Sequence, residues 1–120
     1  MTKKIKKILI VDDEAGILEV IESVLTDKGY SVDKTTDSVE AIEMGLKNDY
    51  DLLITDLIMP KCNGIQVIGA LKAIKPELLT ILCSGNLMDE INKFNVSDEM
   101  ISKPFDCDAL SSIVEKVLLK

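Results

Sequence analysis

Five short apolar stretches alternate with longer segments whose apolar residues recur at helical spacing, and this alternation most constrains the fold. "KILIV" (7–11) reads as a buried strand. Ile17, Leu18, Ile21, Val24 and Leu25 then fall on one helical face, and Gly29 follows where a helix would stop. "SVDKTT" (31–36) is a short, polar strand suited to an edge, followed by a helix over 38–46. "DLLIT" (51–55) is the third strand, and Ile65, Ile68, Leu71 and Ala73–Ile74 mark the third helix. "LLTILCS" (78–84) is the fourth strand, with a weaker helix over 87–94, and "EMIS" (99–102) is the fifth. Leu110, Ile113, Val114, Val117 and Leu118 form a last amphipathic stripe. Strands that are apolar on both faces and joined by helices require a parallel sheet covered on both sides. Right-handed crossovers then give an α/β doubly wound (βα)5 sandwich of three layers. No repeat, linker or low-complexity segment divides the chain, so residues 1–120 are expected to form a single domain.

Composition narrows the function classes. Apolar residues make up 47% of the chain, enough for a core, yet no run is long enough to span a bilayer. The start "MTKKIKKILIV" places lysines before an apolar stretch, but "DDE" stands where a signal-peptide cleavage site would be, so a cytoplasmic location is expected. The net charge is −7, and the only basic cluster is Lys3, Lys4, Lys6 and Lys7, a solvated lead-in to the first strand. That speaks against direct binding of nucleic acid by this domain. Cys62, Cys83 and Cys107 are an odd set without close pairing, and there is no histidine. Neither a disulfide framework nor a zinc site has its ingredients, and reduced, mostly space-filling thiols are expected, with Cys62 exposed.

The chemistry lies at the strand ends. The first strand ends in Asp12 and Asp13, the third in Asp56, the fourth in Ser84 and the fifth in Lys103. In doubly wound sheets, sites form at the carboxyl ends of the strands. Taken singly, each residue has a plain alternative: Asp12, Asp13 and Glu14 suit a helix start, and Ser84 suits a turn. Together they place three carboxylates beside one lysine. Such acids raise one another's pKa unless a further cation sits among them. Oxygen donors without histidine or thiolate suit Mg²⁺, which takes few carboxylates and keeps positions open for phosphoryl oxygens. A hydroxyl and a point cation complete what phosphoryl transfer needs. With no histidine, and no serine or cysteine paired to a base, the nucleophile is expected to be a carboxylate that becomes an aspartyl-phosphate, with Asp56 best placed.

At "VDDE" (11–14), "DLIMPKCNG" (56–64), "CSG" (83–85) and "KPF" (103–105), the sequence closely resembles the receiver domain of two-component response regulators. The resemblance implies a CheY-like, flavodoxin-like sheet of order 2-1-3-4-5. It implies that Asp56 accepts a phosphoryl group from a sensor histidine kinase or a phosphotransfer protein, and that the domain signals through its partner-binding face rather than as an enzyme with a separate substrate. Mg²⁺ would be held by Asp13 directly, by Asp12 often through water, by Asp56 and by the backbone carbonyl of Ile58. Ser84 and Lys103 would bind phosphoryl oxygens, and the Lys103–Pro104 peptide would be cis. Gly64 would give the loop a tight turn, and Gly85 would leave room beside the phosphate.

Two positions modulate this expectation. Relatives carry an aromatic residue three before the lysine, whereas this chain has Met100, so output is expected to rest on the Ser84–Asn86 loop and the helix after it. Ile58 and Asn86 occupy the positions that influence phosphoryl lifetime, and an apolar Ile58 cannot orient a water, so slow self-hydrolysis is expected. A receiver reduced to an interaction module is the alternative that Met100 keeps open. A haloacid-dehalogenase-type phosphatase is disfavoured because neither Asp12 nor Asp56 is followed two residues later by aspartate. A flavodoxin is disfavoured because "DDEAG" would repel a flavin phosphate. The chain fits either a stand-alone receiver or part of a longer regulator.

Overall fold

The computed structural model describes residues 4–85 and 97–119. Five strands, β1 (Lys7–Val11), β2 (Ser31–Thr35), β3 (Leu52–Asp56), β4 (Leu79–Ser84) and β5 (Glu99–Ser102), form one parallel sheet of order β2-β1-β3-β4-β5. Among the described residues the helices are α1 (Ala15–Asp27), α2 (Ser38–Lys47), α3 (Gly64–Ile74) and α4 (Cys107–Leu118). The helix expected over 87–94 lies outside the described residues.

Alternation along each strand sends side chains to opposite faces. Ile8, Ile10, Leu52, Ile54, Ile81 and Ile101 pack with Leu18, Ile21 and Leu25 of α1 and with Leu110, Val114 and Val117 of α4. Leu9, Val11, Leu53 and Leu82 pack on the other face with Ala41 of α2 and with Val67, Ile68 and Leu71 of α3. The result is the expected CheY-like three-layer sandwich. β2 is the edge strand foreseen from its polarity, and it buries only Thr35.

Helix starts follow local chemistry. Asp37 caps α2, Asn63 and Gln66 form a reciprocal capping box on α3, and Asp106 caps α4. Gly45 of α2 meets Leu71 so closely that any side chain there would collide with it, which lets α2 and α3 pack tightly. The third strand runs one residue later than the apolar pattern suggests. Its ladder continues until Asp56 lies opposite Cys83, so the acid ends the strand, as expected.

Candidate functional site

The parallel register brings the carboxyl ends of β1, β3, β4 and β5 to one edge of the sheet. Asp12 follows β1 and is buried, while Asp13 beside it is exposed. Asp12 Oδ1 accepts the Glu14 amide at 3.0 Å, and Oδ2 accepts the Lys103 ammonium at 2.7 Å. Asp12 therefore does not cap α1; Glu14 holds the N-cap position without a side-chain bond. Asp56 Oδ1 accepts the Leu57 amide at 3.0 Å and lies 3.3 Å from Lys103 Nζ. Oxygens of Asp12, Asp13 and Asp56 all fall within 4.8 Å of one another.

The electrostatics follow from that crowding. Burial and the charge of Asp12 push the Asp56 carboxyl up, against the pull of Lys103 and the Leu57 amide. Burial disfavours the Lys103 ammonium, but Asp12 and Asp56 outweigh it and hold its pKa above the ordinary value. Beside them, burial raises the Cys83 thiol to about 12, so it stays protonated and serves as core. Cys62 is half-buried, and Cys107, not Cys62, is the exposed thiol.

Ser84 ends β4, and its Lys103-facing edge is tied by the Lys103 amide donating to the Ser84 carbonyl at 2.8 Å. Its hydroxyl is buried and has no hydrogen-bond partner among the described residues. A buried polar atom without a partner is uncommon and points to a ligand group. An all-oxygen set of three carboxylates against one ammonium, with that hydroxyl beside it, fits a hard divalent cation and a phosphoryl group. Asp13, Asp56, Ile58, Ser84, Gly85 and Lys103 line a cleft of about 340 Å³.

The loop from β3 to α3 is closed by the Gly64 amide donating to the Leu57 carbonyl at 2.8 Å. Gly64 does not serve as the tight turn expected of it. The left-handed residue of that loop is Lys61, at φ 71°, and Gly64 is needed because a side chain there would run into the Asp56 carbonyl oxygen. At Gly85 a side chain would meet none of the described residues within 4 Å, in keeping with open space beside the cleft. The Lys103–Pro104 peptide is cis. Met100 is half-buried, stands opposite Leu82 and packs on the α2–α3 side of the sheet. Asn86 lies outside the described residues. Sequence reasoning missed Ser38, whose hydroxyl bonds the loop after Asp56, because a serine at a helix start reads as a cap.

The sheet order, the acid cluster and the lysine across it define a receiver-type site. The sequence matches the family model of the response regulator receiver domain over residues 8–115, and the chain belongs to that family. It is 33% identical over 107 residues to the transcriptional regulatory protein DltR of Streptococcus agalactiae, covering 87% of this chain and 48% of that protein. With ResD of Bacillus subtilis it shares 35% over 101 residues, covering 82% of this chain and 42% of that protein. The chain thus spans about half the length of these curated relatives or less. Among solved structures, the response regulator TrrA of Thermotoga maritima, in complex with Mg²⁺ and BeF, superposes with a TM-score of 0.86 at 31% identity, covering 94% of this chain and 99% of that one. No helix among the described residues is long and apolar enough to cross a membrane.

Proposed function

We propose that residues 1–120 form one receiver domain that takes a phosphoryl group onto Asp56 in a Mg²⁺-dependent reaction, from a phosphohistidine of a sensor kinase or phosphotransfer protein. The observation that carries this reading is the meeting of Asp12, Asp13 and Asp56 with Lys103 and a buried Ser84 hydroxyl that has no partner among the described residues, all at one sheet edge. Membership of the receiver family supports it, as does the Mg²⁺–BeF complex of TrrA.

In this reading Asp12, Asp13, Asp56 and the Ile58 carbonyl hold the cation. When bound, Mg²⁺ supplies charge neutralisation for the acids and the incoming phosphoryl oxygens. Asp56 Oδ1 is engaged by the Leu57 amide and Lys103, which leaves Oδ2 as the attacking oxygen. A P–O bond forms to Asp56 as the donor's P–N bond breaks, and the leaving imidazole takes a proton from solvent. Ser84 donates to one phosphoryl oxygen, and the Lys103 ammonium pairs with another. The domain works in the cytoplasm and signals through a protein partner. A net charge of −7 argues against nucleic acid as its own ligand.

Intact-mass analysis after incubation with acetyl phosphate and Mg²⁺ tests this. The expected result is one added phosphoryl mass that disappears with EDTA and in Asp56→Ala. No adduct with acetyl phosphate or with a cognate kinase would overturn the reading and leave an interaction module that binds partners without phosphorylation.

A further inference from the structure

Ser38 opens α2, yet its hydroxyl does not cap that helix. Asp37 does so, its Oδ1 accepting the Val39 and Glu40 amides at 2.9 and 3.2 Å. Ser38 Oγ bonds elsewhere: it donates to the Pro60 carbonyl at 2.9 Å and accepts the Cys62 amide at 3.0 Å. The residue is 2% exposed, so both bonds are shielded from water. Its two partners flank Lys61, whose φ of 71° is unfavourable for a residue with a side chain. One hydroxyl therefore ties the loop on both sides of its left-handed residue. Backbone held in such a region persists only where its surroundings fix it. The Cys62 amide also donates to the Pro60 carbonyl at 2.9 Å within the turn itself, and the other tie to α2, Lys61 Nζ to Asp37 Oδ2 at 2.8 Å, is solvent-exposed and correspondingly weak.

Between Asp56 and this staple the chain is short. The Ile58 side chain is 69% exposed, so packing of its own side chain does not fix its backbone. Buried Leu57 and Met59 hold it on either side, and Pro60 comes next. The Ser38 bond thus acts two residues from the carbonyl assigned to the metal. We propose that Ser38 is a positioning residue for the metal site, setting the Ile58 carbonyl through the Pro60–Cys62 turn. The proposal rests on the receiver reading.

Calorimetric titration of Mg²⁺ into the metal-free chain tests it, beside the rate of phosphorylation by acetyl phosphate at saturating Mg²⁺. Ser38→Ala removes both bonds and is expected to weaken Mg²⁺ binding about tenfold while leaving the saturated rate within about twofold. Lys61→Gly in the Ser38→Ala background is expected to recover most of the affinity, because glycine adopts the left-handed turn without the staple. Wild-type affinity in Ser38→Ala overturns the proposal. So does a double variant as weak as Ser38→Ala, which would place the effect in α2 rather than in the turn. If Ser38→Ala does not fold, Ser38→Cys, with a weaker donor of similar size, replaces it and must bind Mg²⁺ less tightly than wild type. A wild-type chain that binds no Mg²⁺ would overturn the receiver-site reading itself, an outcome distinct from equal binding by wild type and variant.

Discussion

The Lys103 ammonium, delivered from the end of an edge strand, lies 2.7 Å from the buried Asp12 carboxylate, 91 residues earlier in the chain. The Asp12 side chain is only 4% exposed, so this contact neutralises a charge that water cannot. Removing one partner of such a pair leaves the other uncompensated, a cost of about 3–5 kcal/mol. Lys103→Met keeps the apolar stem and deletes the cation. It is expected to lower the melting temperature markedly in EDTA and to regain part of the loss in excess Mg²⁺. Equal melting of wild type and variant in EDTA would contradict this account.

Gly64 and Gly69 make a paired test within α3. A Cβ at Gly64 would meet the Asp56 backbone and lie 2.8 Å from Leu82 Cδ1, whereas one at Gly69 would meet none of the described residues within 4 Å. Gly64→Ala is expected to destabilise by about 1–3 kcal/mol through overpacking and to slow phosphorylation of Asp56. Gly69→Ala, on an exposed helix surface, should stabilise by about 0.5–1 kcal/mol and leave phosphorylation unchanged. Urea melts and acetyl phosphate kinetics measure both.

Ile58 lines the cleft with an exposed aliphatic side chain that cannot orient a water. The phospho-aspartate should therefore persist for minutes or longer, and Ile58→Glu, which adds a proton acceptor at the cleft, should shorten it severalfold. Phosphoryl loss followed by intact mass after removal of the donor gives the rates. A wild-type lifetime of seconds would refute the role assigned to this side chain.

Asp98 fixes the entry to β5. Its Oδ2 accepts from Lys72 Nζ at 2.8 Å, from the Thr80 amide at 2.8 Å and from Thr80 Oγ1 at 3.1 Å. Burial opposes ionisation, but Lys72 and Thr80 prevail and hold the carboxyl below its ordinary range. Below the ordinary carboxylate pKa, the unfolded chain then binds the proton more readily than the folded one. The stability Asp98 supplies is complete above that ordinary range and is lost as pH falls through the lowered native value. Asp98→Asn should cost about 1–3 kcal/mol at neutral pH. Thermal melts of the variant should depend less steeply on pH than those of wild type between about pH 5 and 2.

Much of this architecture was legible because two periodicities coincide with two chemistries. "KILIV" alternates Ile8 and Ile10 toward α1 and α4, and Leu9 toward α2 and α3, so a doubly apolar run meant a doubly covered strand. Each run ended on a polar residue, so the sheet edge could be populated before any geometry was known. Side-chain direction was not legible. Asp12 and Asp13 are adjacent and chemically alike, and only the register separates the buried partner of Lys103 from its exposed neighbour. Ser38 looked like a helix start because the loop it bonds is 22 residues away. The loop's left-handed residue is Lys61, and Gly64 is required for room beside the Asp56 carbonyl, a need that a glycine in a sequence does not reveal.

The order in which the site's parts occur along the chain has a consequence for synthesis. All three carboxylates lie in the first half, and the ammonium that balances them arrives only after the last strand. A nascent or proteolysed chain that stops short of β5 carries a self-repelling trio of acids and none of the cation that draws them together. The proposed phosphoacceptor site is therefore complete only once β5 has joined the sheet.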